Sequence, residues 1–310
     1  SLKFLNNTWI ISLINMINLS RTRNCPLCDC RATSDAFPYA NEFHGILFNY
    51  LKCGNCSSVF VDPIPNSQTF ARMYSKDTYH DCYYNDENES KSYAKSVNLL
   101  KKYVCDGSKV LDYGCGLGDF LKVLNSQGFD PYGVEYDKDA AKFASDTVAC
   151  DVWTVEKFTS PSFKQNFDVV HLGDVLEHLP EPIDTLNKIL EKLKIEGILF
   201  VEGPVENNPS LVYLASTIFG WIKHILKPGV TSSNPPHHLF RVDAKQQLAF
   251  FNQVNSSLEL NYWRVYESGW PYIGGGIVKG AIAKIAIFFG GKSFFGITFG
   301  NRFQAVFIKK

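Results

Sequence analysis

Three glycines, Gly114, Gly116 and Gly118, follow an apolar run in VLDYGCGLGDFL (Val110–Leu121), and Asp112 stands just ahead of them. Glycines in such a string let backbone pass close to a ligand with no Cβ in the way. Glu135 closes the next apolar run, PYGVEY (Pro131–Tyr136). An acid in that place can accept hydrogen bonds from both hydroxyls of a ribose. The loop reads G-C-G-L-G, where a nicotinamide site prefers G-x-G-x-x-G, and the G-K-[ST] of a phosphate-gripping loop is missing. Asp112 would repel a pyrophosphate and attract an ammonium group. S-adenosylmethionine has an ammonium, a ribose and no phosphate. Taken as a bare string, the same glycines also suit a plain strand-to-helix turn.

A second constellation is CPLC (Cys25–Cys28) and CGNC (Cys53–Cys56), two C-x-x-C pairs in a chain of nine cysteines. Thiolates spaced in this way can reach one Zn²⁺, and two pairs complete a tetrahedron. Buried ordinary thiols are the alternative, and Cys30 and His44 are spare ligands. Four thiolates leave no open coordination position, so such a zinc would be structural, and a module this small could hardly fold without it. Paired C-x-x-C elements in a chain of 310 residues suit reduced thiols and a cytoplasmic setting better than a disulfide framework.

These residues need elements to hold them. From Lys109 the pattern alternates: KVLDY (Lys109–Tyr113) reads as a buried strand and DFLKVLNSQG (Asp119–Gly128) as a helix. Pro131–Tyr136 is a strand and DKDAAKFAS a helix. Phe167–Leu172 is a strand, Asp184–Lys194 a helix and Gly197–Gly203 a strand. Such alternation predicts an α/β fold with parallel pairing through right-handed crossovers. DAKQQLAFFNQV is helix-like, and Leu258–Ser268 and Arg302–Lys310 read as two closing strands. Residues 67–104 are aromatic and polar, with Tyr74, Tyr79, Tyr83, Tyr84 and Tyr93. The tyrosines from Tyr74 to Tyr84 suit either a lid or simple aromatic packing. The chain starts at Ser1, as a trimmed or tagged chain would, and Trp9–Leu19 is too short and too interrupted for a signal peptide. No run reaches the roughly 20 apolar residues of a membrane span.

With those motifs in order, residues from about Val104 to Lys310 resemble the class I S-adenosylmethionine-dependent methyltransferases, close to the UbiE/UbiG-like and sugar-modifying branches. DYGCGLG matches that family's glycine loop, VEYD its ribose acid, DVVHLGDVLEHLPEP (Asp168–Pro182) its fourth-strand motif and GILFVEGP its fifth strand. The resemblance implies a Rossmann-like seven-stranded sheet whose last strand is antiparallel, with a small N-terminal zinc-binding module. It also implies roles. Asp112 and the Gly114–Cys115–Gly116 backbone hold the methionine end, Glu135 the ribose and Tyr136 the adenine. Asp151 sits near the adenine amino group, and Leu172 and Gly173 line the sulfonium. The cysteine arrangement, followed by VFVDPIP and tyrosines, is similar to the N-terminal zinc-binding module of some bacterial sugar methyltransferases. The expected organisation is a lead over 1–22, a zinc-binding module over 23–66, linker or lid helices over 67–104 and the methyltransferase domain over 105–310. Substrate-specific inserts are expected at 205–242 and 270–299.

A hydroxyl acceptor would need its proton removed, and histidine suits that task. His178, in LEHLP, and His237 and His238, in NPPHHLFRV, are the candidate bases, each with a plain structural role as the alternative. His44, His80, His171 and His224 read as structural or surface residues. Glu177 and Asp174 could orient a histidine or cap a helix. The expected reaction is methylation, at oxygen, of a small or carbohydrate-type acceptor. A quinone- or lipid-type acceptor is the second reading, and a zinc-ribbon adaptor that binds cofactor without turnover the third. Lys and Arg total 31, as do Asp and Glu, so no basic excess points to nucleic acid. The apolar stretches Leu211–Leu226 and Gly274–Gly291 could line a pocket, form a homodimer face or touch a membrane. Neither has a strongly basic polar face, which favours pocket or interface over membrane.

Overall fold

Both C-x-x-C pairs lie at turns of a small antiparallel sheet made of β1 (Thr33–Asp35), β2 (Asn41–Phe43), β3 (Ile46–Cys53) and β4 (Val59–Asp62). In this computed structural model the described residues are 23–37, 40–74, 87–227, 232–254 and 257–310. The lead over 1–22, with His80, Tyr79, Tyr83 and Tyr84, lies outside them. β3 pairs with β1, β2 and β4. Next come α1 (Ser67–Met73), capped where the Thr69 amide donates to the Asn66 side chain at 2.8 Å, and α2 (Glu87–Leu100).

The alternating region follows. β5 (Lys109–Tyr113), α3 (Asp119–Ser126), β6 (Asp130–Glu135), α4 (Lys138–Val148), β7 (Val152–Thr154) and α5 (Val155–Phe158) make its first half. β8 (Phe167–Gly173), a 3-10 turn at Leu176–His178, α6 (Pro182–Leu190) and β9 (Leu193–Pro204) make its second. α7 (Leu211–Leu226), β10 (Phe240–Arg241), α8 (Ala244–Val254), β11 (Leu258–Tyr266) and α9 (Gly276–Phe289) lead to a hairpin, β12 (Ser293–Phe294) and β13 (Ile297–Thr298), and to β14 (Arg302–Lys309).

The large sheet has seven strands in the order β11-β14-β9-β8-β5-β6-β7. β5, β6, β7, β8 and β9 pair in parallel, and β14 runs antiparallel to both β9 and β11. The expected Rossmann-like sheet with its antiparallel closing strand is therefore what forms. Both of its faces are covered, as parallel pairing requires. Leu111, Val170 and Leu199 point into one core, and Val110, Val169 and Phe200 into a second under α2, α3 and α4.

Two details depart from the pattern. The helix expected over Asp184–Lys194 ends at Leu190, because Leu193 already pairs with Phe167 and starts β9. The cysteine sheet is also not self-contained. β10 adds to β4, with Phe240 opposite Phe60, and Cys25, Leu27, Leu51, Cys53 and Phe60 share a core with Leu172, Leu176 and Phe303. Among the described residues, no helix is long and apolar enough to cross a membrane.

Candidate active site

The carboxyl end of β5 passes into the glycine loop, which is tied to the neighbouring strand: the Gly114 and Cys115 amides both donate to the Val134 carbonyl, at 2.7 and 3.1 Å. Gly114 has φ +86°, and a Cβ there would lie 2.5 Å from Val175 Cγ2, so both conformation and space demand glycine. Glu135 ends β6 beside the loop and is buried. Its Oε2 accepts from the Gly116 amide at 2.8 Å, and its Oε1 from the Tyr136 and Asp137 amides at 2.7 and 3.0 Å. A buried carboxylate held by three backbone amides at a strand end is a fixed acceptor beside the loop. That is the arrangement a ribose diol requires, and these residues fit the cofactor's sugar. Cys115 is buried, with its thiol against Gly133.

Asp112 lies beneath the loop and belongs to a buried relay. His171 Nδ1–H donates to Asp112 Oδ1 at 2.7 Å, and its Nε2–H to Glu202 Oε1 at 3.2 Å. Glu202 in turn accepts from Ser96 Oγ at 2.8 Å and from Gln304 Nε2 at 2.6 Å. Burial alone would push the imidazole down, but the two carboxylates outweigh it and hold its pKa up at about 9. His171, read from sequence as structural or surface, is thus a buried cation that fixes Asp112.

That shift carries a pH dependence. Unfolded histidine loses its proton near 6.5, so the stability His171 supplies is fully present below about pH 6.5 and is lost as pH rises through about 9. On the order of 3 kcal/mol is at stake. Thermal melts from pH 6 to 9.5 should show the decline, with a shallower slope in His171→Gln. An identical slope in the variant would remove the imidazolium from the relay.

Past the end of β8, Asp174 turns the chain at φ +53°, and the 3-10 turn presents Glu177 and His178. The Leu239 amide donates to the Glu177 carbonyl at 2.7 Å, drawing the His237–His238 segment over them. His178 Nδ1 lies 2.9 Å from the His237 carbonyl and 2.8 Å from Tyr74 Oη. A carbonyl can only accept, so Nδ1 carries the proton and the Nε2 lone pair of the neutral ring is left to accept one. Burial, and then the charge of His238, hold His178 well below the ordinary histidine range, so it is neutral near pH 7.

His238 behaves in the opposite way. Burial lowers it, but Glu206, with its Oε2 3.1 Å from Nδ1, dominates and holds it up at about 9. Glu206 also faces Arg241 Nε at 3.1 Å and is held down at about 2, Arg241 and His238 overcoming its burial. Burial, reinforced by Asp174, pushes Glu177 up to about 8. Asp174 takes the Arg302 guanidinium at 2.6 Å. A neutral histidine next to a charged one, 4.9 Å apart between rings, is a pair of titratable groups with their pKa values driven apart.

Tyr74 joins the two halves: its hydroxyl meets His178, and its ring lies 6.2 Å from that of Tyr136, beside Glu135. The glycine loop, Glu135, Tyr136, His178, His237 and His238 therefore come together at the carboxyl ends of β5, β6 and β8, where ligands bind in such sheets. Gly173 is at the tip of β8. Leu172 is wholly buried, so its side chain packs the core and only its backbone faces that end.

Asp151 does not come to the site. β7 runs from Val152 to Thr154, and Thr154 is the residue opposite Glu135. Asp151 precedes the strand, with its carbonyl taken by the Gly133 amide at 2.9 Å, and lines a groove with Asp130 and Pro131 at the opposite end. The acid beyond the carboxyl end of β7 is Glu156, whose charge, after burial, pushes the Tyr136 phenol up. The sequence reading missed Glu156, as well as Glu206 and Arg241, which meet from different elements with no shared spacing to reveal them.

In the cysteine module, Cys25, Cys28, Cys53 and Cys56 point inward with their sulfur atoms within 4.8 Å of one another. The Cys25–Cys56 and Cys28–Cys53 separations are both 3.6 Å. A tetrahedral site with Zn–S of about 2.3 Å has S···S edges of about 3.8 Å, so the four thiols fit zinc. The Asn55 amide points at Cys53 Sγ at 3.4 Å, and Ser58 Oγ lies 3.0 Å from Cys56 Sγ, contacts that orient ligands. The spare candidates stand apart: Cys30 Sγ faces the Ala32 carbonyl, and His44 packs on Phe43.

A parallel sheet with a left-handed glycine loop and an acid at the second strand end defines a Rossmann-like fold built to cradle a nucleoside-bearing ligand. Residues 85–266, well over half of the chain, match the family described as "Methyltransferase domain", and the chain belongs to that family. The match begins within the 67–104 stretch and takes in α2. Over 104 residues the chain is 30% identical to the ubiquinone biosynthesis O-methyltransferase of Actinobacillus pleuropneumoniae serotype 7 (strain AP76), covering 30% of this chain and 44% of that protein. The namesake from Psychrobacter arcticus is 29% identical over 132 residues, 40% of this chain and 51% of the other. The chain thus spans about half the length of the curated relatives it matches. Among solved structures, magnesium protoporphyrin IX methyltransferase from Synechocystis PCC 6803 aligns over 79% of this chain and 96% of its own, with 13% identity and a TM-score of 0.48.

Proposed function

We propose that this chain is an S-adenosylmethionine-dependent methyltransferase that methylates a hydroxyl of a small, carbohydrate-type acceptor. His178 carries the reading: its Nδ1–H is pinned to the His237 carbonyl, which leaves Nε2, 3.9 Å from Glu177 Oε1, as the unprotonated nitrogen of the ring. Bound S-adenosylmethionine supplies an electrophilic methyl group. The chain's own residues supply the rest. Asp112 and the loop hold the ammonium end, Glu135 the ribose, and Tyr136 with Glu156 the adenine side. His178 takes the acceptor's proton. The charged groups Glu206, Arg241 and Arg302 offer hydrogen bonds of the kind a polyhydroxyl ligand can use. We place the reaction in the cytoplasm, in keeping with reduced thiols.

A quinone- or lipid-type acceptor is the second reading. It is favoured by the ubiquinone-pathway relatives and by the exposed apolar helices α7 and α9. Labelled methyl transfer into a panel of nucleotide sugars and quinones separates the two, and cofactor binding without transfer to any member would instead favour an adaptor. Calorimetry should show S-adenosylmethionine binding, with no NAD binding, and Glu135→Ala should weaken it by about 1–3 kcal/mol, the cost of a charge-assisted partner. Glu135→Gln, which keeps one acceptor oxygen, should lose less. Unchanged affinity in both variants would end the ribose assignment.

We also infer one structural zinc per chain on Cys25, Cys28, Cys53 and Cys56. Its support is the inward clustering of four thiols, which could not all ionise at such separations without a cation between them. Metal analysis of protein purified without added zinc tests it. A folded module free of metal would sink it.

A further inference from the structure

The fold unites two apolar segments that are far apart in sequence. α7 and α9 pack against each other, and the β12–β13 hairpin folds onto the end of α9, with Phe289 and Phe294 rings 6.2 Å apart. Of the 14 residues of α9 only Ala283 and Ala286 are buried, and of the 16 of α7 only Val212. Much of what remains is exposed hydrocarbon and aromatic ring. Ile277 is 93% exposed, Ile225 70% and Phe219 66%, and Phe295 stands fully exposed at the hairpin tip. Contiguous apolar surface on this scale marks an interaction site.

Its charge is one-sided. Residues 211–227 and 269–300 carry Lys223, Lys227, Lys279, Lys284 and Lys292 and not one Asp or Glu. The whole chain balances 31 cations against 31 anions, so the remainder is net acidic. Each segment alone lacks a strongly basic face, but folded together they set five lysines around one apolar surface. Two copies of this chain meeting face to face would bring lysine against lysine. A hydrocarbon layer bounded by anionic headgroups complements both features.

We propose that α7, α9 and the β12–β13 hairpin dock this protein onto an anionic lipid surface, lying in the interface without spanning it. The hairpin tip and the outer faces of both helices enter the headgroup boundary, and the lysines reach to the lipid phosphates. α7 follows β9 through a short connection that holds Glu206, the partner of His238, so the docked helix begins close in sequence to the histidine cluster. The docking does not depend on the proposed reaction, and it can be tested without turnover.

Co-sedimentation of the full chain with sonicated vesicles is the test. Vesicles of about one-third phosphatidylglycerol in phosphatidylcholine should retain roughly tenfold more protein than pure phosphatidylcholine, and high salt should weaken the retention. Ile277→Asp/Phe295→Asp and, separately, Lys279→Glu/Lys284→Glu should each cut binding roughly tenfold with unchanged thermal melts, since none of the four side chains is buried. Equal, negligible sedimentation with both vesicle types would overturn the proposal. So would sedimentation equilibrium showing a dimer that Ile277→Asp/Phe295→Asp converts to monomer while vesicle retention stays unchanged.

Discussion

Replacing His178 with alanine should lower turnover on the true acceptor at least about a hundredfold, with cofactor affinity nearly unchanged. A neutral alcohol is a poor nucleophile, and a general base that removes its proton contributes about 10²–10⁴ in rate. His178 meets the geometric requirement, because the His237 carbonyl fixes its tautomer and Tyr74 its ring. None of its contacts is with Glu135 or the glycine loop, so binding of the cofactor should survive. His238 is held in its charged form by Glu206 and so suits an electrostatic role near the acceptor. His238→Ala should therefore cost less than His178→Ala, and Tyr74→Phe, which leaves the carbonyl contact, least of the three. If the His178, His237 and His238 variants all keep near-normal rates, the base assignment is wrong. Catalysis would then rest on holding acceptor and methyl in line, as for an amine or an already activated carbon.

Removing the zinc proposed for the four thiols, or replacing Cys53 with serine, should have the larger effect on stability. Zinc on four thiolates contributes about 10–16 kcal/mol of apparent binding free energy in small modules, and that energy is folding energy. Here the loss cannot stay local. Cys25 and Cys53 sit in the same core as Leu172 and Leu176, Arg23 Nη2 donates to the Pro180 carbonyl at 3.2 Å, and the Val61 amide donates to Leu239. Those contacts hold the loops that carry His178 and His238. A net loss of even ~5 kcal/mol would lower Tm by roughly 10–20 °C in a domain of this size. Calorimetric scans before and after chelation, with calorimetry of cofactor binding below the new Tm, give the check. Unaltered melting after complete removal of metal would show that the thiols do not carry the fold.

How much of this was legible depended on the range of the interaction. Lys109–Tyr113 and Arg302–Lys309 could be read as strands because apolar character is set within each segment and both sheet faces are buried. The glycine loop and Glu135 were legible for the same reason: one strand, one turn and the next strand end build that half of the site. Asp151 failed because β7 is only three residues long, too short for its period to show where it begins, and its carboxyl end lies at Thr154. The helix after Pro182 was overrun because Leu193 suits a helix period as well as a strand, and only pairing with Phe167 decides. Glu206, Arg241 and Arg302 approach His238 and Asp174 from separate elements, and no local pattern encodes a meeting of that kind.

The strand that completes the cysteine sheet has a consequence for biosynthesis. Phe240 must lie beside Phe60, so the edge of β4 waits for a partner 180 residues further along. At about 5–20 residues per second the ribosome needs roughly 10–40 s to deliver it. For that interval the nascent chain holds out Phe60 and Val61 on a strand paired only with β3, its other edge open, the type of edge that recruits other strands. Early metal capture would secure the turns at Cys25–Cys28 and Cys53–Cys56, but not that edge. The N-terminal module is therefore a client of whatever shields emerging chains until its own distant loop arrives.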